Sequence, residues 1–342
     1  MFSELRVVMM MDRRISIAPM MAKTDRHCRY LMRLLAPHIL LYTEMITTGA
    51  LLYGDDPQRF LQFSVEEHPV AIQLGGSDPQ ALAQSAQLAE QWGYDEINLN
   101  VGCPSDRVQS ARIGACLMAE PHLVGRCVAA MQEAVSVPVT VKTRIGIDNQ
   151  DQYDDLYYFI KTVADYGCQT FIIHARKAWL HGLDPKANRN KPPLRYHEVV
   201  RLKQTMPHLT LIMNGGIQTA GAVHHHLSQV DGVMIGRQAY DDPYWLASLD
   251  REVYGESLPQ PSRFEVVEQY LQYMEARLNE GVRLHHMTQH LLNLFKGQPR
   301  ARQWRRFLSE HVSGCQDISV VQQALALCQS NNKDKEAVYA IS

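Results

Sequence analysis

Short runs of apolar, mostly β-branched residues recur along the first two thirds of the chain, each bounded by glycine, proline or polar turn residues. Eight runs predict strands, at residues 15–19, 40–45, 69–74, 96–101, 138–144, 170–175, 210–215 and 232–237. Between them apolar residues recur at helical spacing, as in residues 79–91 and 121–135. This alternation predicts an α/β fold, a closed (β/α)8 TIM barrel. An open doubly wound sheet is the alternative.

The pattern changes after residue 250. Residues 254–262 are rich in glycine, proline and serine, which predicts a linker, and a helix is predicted to begin at Arg263 or Phe264. Helical periodicity then continues from residue 265 to 340 with few strand signals. We therefore expect a TIM-barrel catalytic domain at residues 1–257, followed by a small all-α helical domain at residues 258–342.

Composition adds constraints on partners and compartment. The formal net charge of -2 gives no global attraction to phosphate, so nucleic-acid binding requires a local basic patch. Seven cysteines without a C-x-x-C pair argue against a disulfide framework and favour a reducing, cytoplasmic setting. The methionines at 9–11 are followed at once by charged residues 12–14, so no signal peptide or membrane span is expected.

Two histidine clusters raise the question of a metal. His286 and His290 have the i, i+4 spacing of a zinc-binding helix but lack the glutamate of H-E-x-x-H. His224 to His226 are adjacent and do not share one helix face. We assign no metal to either cluster and expect structural or RNA-facing roles.

Polar residues collect near the ends of the predicted strands, where a parallel barrel places its active site. They are Gln73, Asn98, Asn100, Lys142, Arg144, His174 and Asn214. Because strand side chains alternate with period two, Asn98 and Asn100 share one face, as do Lys142 and Arg144. The sequence therefore predicts a single polar mouth.

Glycines lie at the ends of the last two predicted strands, at Gly215-Gly216 and at Gly236, which Arg237 follows. Many barrels bind a phosphate there through backbone N–H groups, and Arg237 can add charge-assisted bonds; a purely structural turn is the alternative. Lys142 and His174 are costly as unpaired buried charges, and a cofactor that gains negative charge on reduction supplies a partner. An internal ion pair of either residue, with Glu44 as the mate, is the alternative.

Family resemblance rests on eight segments, which are Ala18-Pro19-Met20, Thr24-Asp25, and residues 73–76, 96–104, 142–146, 173–176, 214–217 and 234–237. Together they resemble the tRNA-dihydrouridine synthases over nearly the whole chain. Residues 41–45, 174–180 and 299–306 resemble the DusA subfamily. The resemblance implies an enzyme that reduces uridines 20 and 20a of the tRNA D-loop with FMN and NADPH. It also implies that the barrel binds FMN and that the helical domain binds tRNA.

The resemblance also implies individual contacts. FMN is expected to contact Pro19, Met20, Met21, Gln73, Lys142, His174, Asn214, Gly215, Gly216, Gly236 and Arg237. The tRNA base is expected to meet Asn100 and Cys103. Ala22 and Lys23 depart from the family, which often has an acidic residue and an aromatic there.

Cys103 is the expected catalytic acid. Reduction of the uracil 5,6 double bond requires a hydride on C6, here from FMNH2, and a proton on C5. A thiol with a pKa of about 8.5 is mostly protonated at neutral pH and can donate that proton. A structural buried cysteine is the alternative. Cys116 lacks a polar constellation of its own.

Residues 296–306 form the expected RNA surface, with five basic residues and no acidic one. Arg300 and Gln303 are the expected contacts there, and Arg176 and Lys177 extend the surface toward the active site. A solvated basic helix face is the alternative. We expect a monomer.

Two other functions fit parts of the pattern. One is an FMN barrel that reduces a small molecule, such as a dihydroorotate dehydrogenase-like or ene-reductase-like enzyme, but this function does not explain the basic helical region. The other is a non-catalytic tRNA-binding protein, which does not explain Cys103 beside the full set of polar strand ends.

Overall fold

Eight parallel strands form the centre of the computed structural model, which describes residues 11–255 and 260–329, without the side chains of residues 106 and 107. The strands are β1 (Ile15–Ile17), β2 (Leu41–Thr47), β3 (Val70–Gly75), β4 (Glu96–Val101), β5 (Val139–Arg144), β6 (Thr170–His174), β7 (Thr210–Asn214) and β8 (Gly232–Ile235). Each lies within two residues of its predicted bounds, and β4 has the predicted bounds. The eight predicted strands are confirmed.

The strands are ordered β1-β8-β7-β6-β5-β4-β3-β2 in one sheet. A parallel bridge between Ser16 and Leu40 joins β1 to the start of β2. There the N–H of Ile17 donates to the Leu40 oxygen at 2.9 Å, and the N–H of Leu40 donates to the Ile15 oxygen at 3.1 Å. The sheet therefore closes on itself, which confirms the TIM barrel and excludes the open sheet.

Helices alternate with these strands and then continue alone. Those of the barrel region are α1 (Arg26–Leu35), α2 (Thr48–Leu52), α3 (Gln58–Leu61), α4 (Pro79–Trp92), α5 (Asp106–Ser110), α6 (Pro121–Ala134), α7 (Tyr153–Asp165), α8 (Pro185–Asn188), α9 (Tyr196–Thr205), α10 (Ala220–Leu227), α11 (Arg237–Asp241) and α12 (Trp245–Tyr254). Short 3-10 helices span Val65–Glu67 and Gly114–Ala119. After the barrel come α13 (Arg263–Asn279), α14 (Leu284–Thr288), α15 (Ala301–His311) and α16 (Ser319–Gln329).

Local sequence explains where these helices begin. Asp78 caps α4 by accepting the N–H groups of Gln80 and Ala81, and Pro79 occupies the first turn. Ser262 caps α13 in the same way and forms a capping box with Glu265. The helix predicted to begin at Arg263 or Phe264 is confirmed. The expected boundary at residues 257 and 258 lies outside the described residues.

Apolar side chains form three cores. The largest lies between the strands and the surrounding helices. A smaller one fills the barrel interior, with Leu40, Tyr42, Ile172 and Met234 among its members. The third holds the helical region together around Trp304. No helix in the described part of the chain is long and apolar enough to cross a membrane.

The helical region packs against α1 of the barrel. Leu31 and Leu35 belong to its core, and the rings of Tyr30 and Tyr273 stack with centroids 4.0 Å apart. At the start of α1, its N-cap residue Asp25 pairs with the buried His290 at 3.0 Å. Because α1 follows the loop after β1, the helical region is fixed beside the carboxyl ends of the strands.

Candidate active site

The barrel mouth, at the carboxyl ends of the strands, contains the predicted polar side chains. Register pairs Gln73 with Asn98 across β3 and β4, and Asn100 with Lys142 across β4 and β5. Further around the barrel, His174 of β6 pairs with Asn214 of β7. Strand register thus brings residues that are far apart in the chain next to one another in the barrel.

Cys103 lies in the loop directly after β4. Its backbone N–H donates to Asn100 Oδ1 at 3.0 Å, and its carbonyl accepts the N–H of Ala115 at 2.9 Å. The thiol is partly exposed, whereas Cys28, Cys127 and Cys168 are buried. This exposure argues against a structural packing role for Cys103.

A glycine is required beside the Cys103 loop. Gly114 has a φ of +77°, and a Cβ atom there would lie 2.5 Å from the carbonyl oxygen of Cys103. Cys116, two residues later, donates to the Ile113 oxygen at 3.3 Å, and burial raises the pKa of its thiol. Of these two cysteines, only Cys103 lies among the charged groups of the mouth.

Positive charge surrounds Cys103 and His174. A Cys103 thiolate would interact favourably with Lys142, Arg144 and Arg189. Burial lowers the pKa of His174 well below its ordinary value, and nearby cations, Arg144 foremost, lower it further. His174 is therefore neutral at pH 7, and the mouth carries the charge needed to attract an anion.

Lys142 donates to Asn214 Oδ1 at 3.1 Å. Burial, followed by repulsion from Arg144, lowers the pKa of Lys142 to about 7. Glu44 forms no ion pair with Lys142, and its carboxylate instead accepts the N–H of Ala22. The internal ion pair considered from the sequence is therefore absent, and the ammonium group remains available to an anionic partner.

Stability should depend on pH through Lys142. The folded pKa of about 7 lies below the unfolded value of about 10.4, so the unfolded chain binds more protons between these values. Stability of the ligand-free protein should therefore rise with pH across this window. The melting temperature of Lys142→Met should rise less steeply from pH 7 to 9 than the melting temperature of the wild type.

The control for this prediction is Lys161→Met. Lys161 is exposed on α7 and pairs with Asp165 at 2.6 Å. Its variant should keep the wild-type dependence of melting temperature on pH. Parallel curves for Lys142→Met and the wild type would contradict the prediction.

Backbone donors after β7 and β8 form a cradle for an anion. Within the described residues, the N–H groups of Gly215, Gly216, Gly236 and Arg237 donate to no other group of the protein. Gly215 and Gly216 have φ values of +117° and +68°. A Cβ on Gly215 would lie 2.6 Å from Cδ2 of His174. The arrangement fits a phosphate at the position where many barrels bind one.

The remaining predicted cofactor residues divide into two groups. Pro19 and Met20 follow β1, and Met20 Sδ lies 3.9 Å from an ideal Cβ on Gly236, which places both segments together. The Met21 side chain is 65% exposed, so we expect any cofactor contact there from its backbone. Ala22 adopts a φ of +58° next to it. As a group, the predicted residues fit FMN, with a phosphate cradle at one end and polar side chains at the other.

Comparison with known proteins decides the family. The family model described as Dihydrouridine synthase (Dus) matches residues 16–330. The chain belongs to the dihydrouridine synthase family. This confirms the resemblance drawn from the motifs around Cys103 and the strand ends.

Similar curated relatives carry the name tRNA-dihydrouridine(20/20a) synthase. The protein from Synechocystis sp. is 59% identical over 296 residues, which cover 86% of this chain and 88% of the relative. The protein from Escherichia coli K12 is 57% identical over 317 residues, covering 92% and 91%. That from Vibrio parahaemolyticus is 56% identical over 316 residues, covering 92% and 96%. The DusA-type resemblance is confirmed.

A solved structure gives an independent likeness of fold. The complex of 2-naphthoyl-CoA reductase with 2-naphthoyl-CoA aligns with a TM-score of 0.54 at 12% identity. The alignment covers 70% of this chain, and this chain spans 50% of that one. The likeness concerns the barrel fold alone.

The basic surface of this family member lies on α15. Arg302, Gln303 and Arg305 are exposed, whereas Trp304 faces the core and donates from Nε1 to the Leu291 oxygen at 2.9 Å. Arg300 precedes the helix with a φ of +63°. Its guanidinium donates to the carbonyl of Leu327 on α16, so it also joins two helices.

Arg176 and Lys177 make contacts within their own region. The Arg176 guanidinium donates to the Pro192 carbonyl, while its buried Nε has no hydrogen-bond partner among the described residues. Lys177 pairs with Asp151 at 3.1 Å and lies over the ring of Trp179. Contact of either residue with tRNA stays a prediction.

Several mouth residues were missed from the sequence. Arg189 follows α8, and Tyr196 donates from its hydroxyl to the carbonyl of Gly215. Both lie in the segment after β6, and position in a loop at the barrel mouth is the signal that could have drawn attention to them. Arg144 was predicted to face the mouth but was given no role. Its Nε donates to the carbonyl of Gly102 at 2.8 Å.

A cavity of about 210 Å³ lies beside the mouth, between α1, the end of β2 and α14. Asp25, His27, Glu44 and His286 are among its lining residues. Burial lowers the pKa of His27 to about 4, and its Nδ1 lies 2.7 Å from the Tyr273 hydroxyl. Within the described ranges, no group of three or more His, Cys, Asp or Glu side chains is arranged to hold a metal.

Proposed function

We propose that this protein reduces uridine to 5,6-dihydrouridine at positions 20 and 20a of the tRNA D-loop. One observation carries the proposal: the partly exposed Cys103 lies among cations at the barrel mouth of a chain that belongs to the dihydrouridine synthase family. The relatives named for positions 20 and 20a support the choice of uridines.

FMN is the proposed cofactor, and NADPH is the proposed electron donor. Gly215, Gly216, Gly236 and Arg237 would hold the phosphate through their free N–H groups. The other proposed contacts are Pro19, Met20, the backbone of Met21, Gln73, Lys142, His174 and Asn214. When bound, FMN supplies the hydride that uracil C6 receives.

Cys103 supplies the proton in this proposal. The thiol S–H bond breaks as a C5–H bond forms, which leaves a thiolate on Cys103. Lys142, Arg144 and Arg189 stabilise that negative charge. The cations thus act on the charge that develops during the reaction.

A folded tRNA must present the uracil at the mouth. Turning out the base costs a few kcal/mol by analogy with base flipping, and contacts elsewhere on the tRNA must offset this cost. The exposed basic face of α15, with Arg302, Gln303 and Arg305, is the proposed contact surface. This face favours tRNA over a small molecule as substrate. We place the reaction in the cytoplasm and propose that the protein acts as a monomer.

Salt dependence should reveal the basic face. The double variant Arg302→Ala, Arg305→Ala should bind tRNA more weakly. If each arginine meets one phosphate, the slope of log K against log salt should fall by about one for each residue removed. Flavin content should stay at the wild-type value. Arg126→Ala, on the exposed face of α6, is the control. Unchanged affinity and slope in the double variant would contradict this surface.

The proposed function is tested on defined transcripts. Purified protein with FMN and NADPH should form dihydrouridine at positions 20 and 20a of an unmodified tRNA transcript. A transcript with cytidine at both positions should give no product. Dihydrouridine formed only at other positions, or none in the presence of bound flavin, would overturn the proposal.

A further inference from the structure

The barrel interior contains a continuous chain of hydrogen bonds between side chains, called here the interior network. Its members, from the amino-terminal end of the barrel to the mouth, are Arg13, Glu96, Thr140, Asn98, Gln73 and Asn100. All of them except Arg13 are buried. The network therefore links the far end of the barrel to the residue that holds the Cys103 loop.

Glu96 anchors the lower end. Its carboxylate oxygen Oε2 accepts from Arg13 at 3.0 Å and 2.6 Å. The other oxygen, Oε1, accepts from the hydroxyls of Tyr42 and of Thr140, the latter at 2.7 Å. Burial raises the pKa of Tyr42 well above its ordinary value, so the phenol stays a donor. The Glu96 side chain is 0% exposed and meets only donors in these contacts.

Three hydrogen bonds made by side-chain amides connect Thr140 to the mouth. Thr140 Oγ1 accepts from Asn98 Nδ2 at 2.9 Å. Asn98 Oδ1 in turn accepts from Gln73 Nε2 at 2.7 Å, and Gln73 Oε1 accepts from Asn100 Nδ2 at 2.7 Å. Each amide therefore accepts from the residue above and donates to the residue below.

Asn100 closes the upper end. Its Oδ1 accepts the backbone N–H groups of Gly102 and Cys103, each at 3.0 Å. Backbone N–H groups only donate, so this end requires an oxygen. The carboxylate of Glu96 only accepts, so the lower end requires a donor. With both ends fixed, turning over any one amide would set donor against donor and acceptor against acceptor.

We propose that Glu96 and Thr140 are positioning residues, which set the orientation of Asn100 and through it the backbone of Cys103. A second consequence concerns the substrate and rests on the proposed function. Asn100 Oδ1 already accepts two N–H groups, so Asn100 faces the mouth as a donor through its remaining Nδ2 hydrogen. The substrate atom that it contacts must be an acceptor, such as a carbonyl oxygen of uracil.

Thr140→Val tests the proposal because it removes the hydroxyl while keeping the side-chain shape. Without that hydroxyl, Asn98 Nδ2 loses its acceptor, and the orientation of the amides above it is no longer fixed from the lower end. Thr140→Ser keeps the hydroxyl and should restore the wild-type behaviour. Thr143→Val is the matched control, since Thr143 is buried on the same strand and donates to the Val101 and Arg144 carbonyls at 3.4 Å, outside the network.

Amide hydrogen exchange of the flavin-loaded enzyme without tRNA is the first readout. Peptides that end within residues 99–105 should report exchange at Gly102 and Cys103 about tenfold faster in Thr140→Val than in the wild type. Thr140→Ser and Thr143→Val should match the wild type. Unchanged exchange in Thr140→Val, or an equal increase in Thr143→Val, would overturn the proposal.

Kinetics on the tRNA transcript is the second readout. In Thr140→Val, kcat for dihydrouridine formation should fall about tenfold, because the thiol and Asn100 are no longer held in one arrangement. KM for tRNA should change less than about twofold, since phosphate contacts dominate its binding. A rise in KM at unchanged kcat would overturn the proposed role. A wild type that forms no dihydrouridine would overturn the proposed function instead, and the exchange experiment would still decide on the network.

Discussion

Cys103→Ala should lower the rate of dihydrouridine formation by about 10²- to 10⁴-fold, the usual contribution of a positioned general acid. The side chain is small and partly exposed, and its backbone contacts with Asn100 and Ala115 do not involve the thiol. The variant should therefore fold, bind flavin and oxidise NADPH as the wild type does. Single-turnover reduction of a tRNA transcript measures the loss.

The matched control is Cys116→Ala. Cys116 is also partly exposed and lies on the 3-10 helix next to the Cys103 loop, where its thiol donates to a backbone carbonyl. Its variant should keep near wild-type turnover. Rates for Cys103→Ala within a few fold of the wild type would remove Cys103 from the role of acid.

Gly215→Ala should weaken the retention of flavin. The added Cβ would lie 2.6 Å from Cδ2 and 3.0 Å from Nε2 of His174, at a φ of +117° that L residues rarely adopt. Both effects displace His174 and the free N–H groups that would hold the phosphate. We expect the Kd for FMN to rise at least about tenfold, equivalent to about 1.4 kcal/mol, as measured by fluorescence titration of the flavin-free protein.

Gly221→Ala is the control for Gly215→Ala. Gly221 lies in α10, and a Cβ there would meet no atom within 4 Å. Alanine favours the helix by up to about 1 kcal/mol, so this variant should be as stable as the wild type or more so, with normal flavin binding. Normal flavin binding by a folded Gly215→Ala would contradict the phosphate cradle.

Local pattern was sufficient to predict most of the barrel. β4 has the predicted bounds because apolar residues alternate with asparagines that all point into one interior. β1 is shorter than predicted because Pro19 and Met20 already belong to the loop that leads to α1. Closure of the sheet depends on the contact between Ser16 and Leu40, which strand and helix periodicity does not specify.

The site was predicted less completely than the fold. Period two placed Asn98 and Asn100 on one face, but their partners Thr140 and Gln73 come from neighbouring strands whose register the sequence does not fix. Motif position indicated a cofactor role for Met21, yet its side chain points to solvent. Arg300 was predicted as an RNA contact from its place in the basic run and in the resembling segment 299–306, and its bond to the Leu327 carbonyl depends on how α15 and α16 pack.

In the proposed reaction, the flavin supplies a hydride to the tRNA uridine and Cys103 supplies a proton. The most direct measurement is rapid mixing of the anaerobically reduced, flavin-loaded enzyme with an unmodified tRNA transcript, followed by flavin absorbance. We expect flavin to be reoxidised together with the appearance of dihydrouridine at positions 20 and 20a, and both to be about 10²- to 10⁴-fold slower with the Cys103→Ala enzyme. Flavin that stays reduced with tRNA, or that is reoxidised without dihydrouridine, would contradict the proposed reaction.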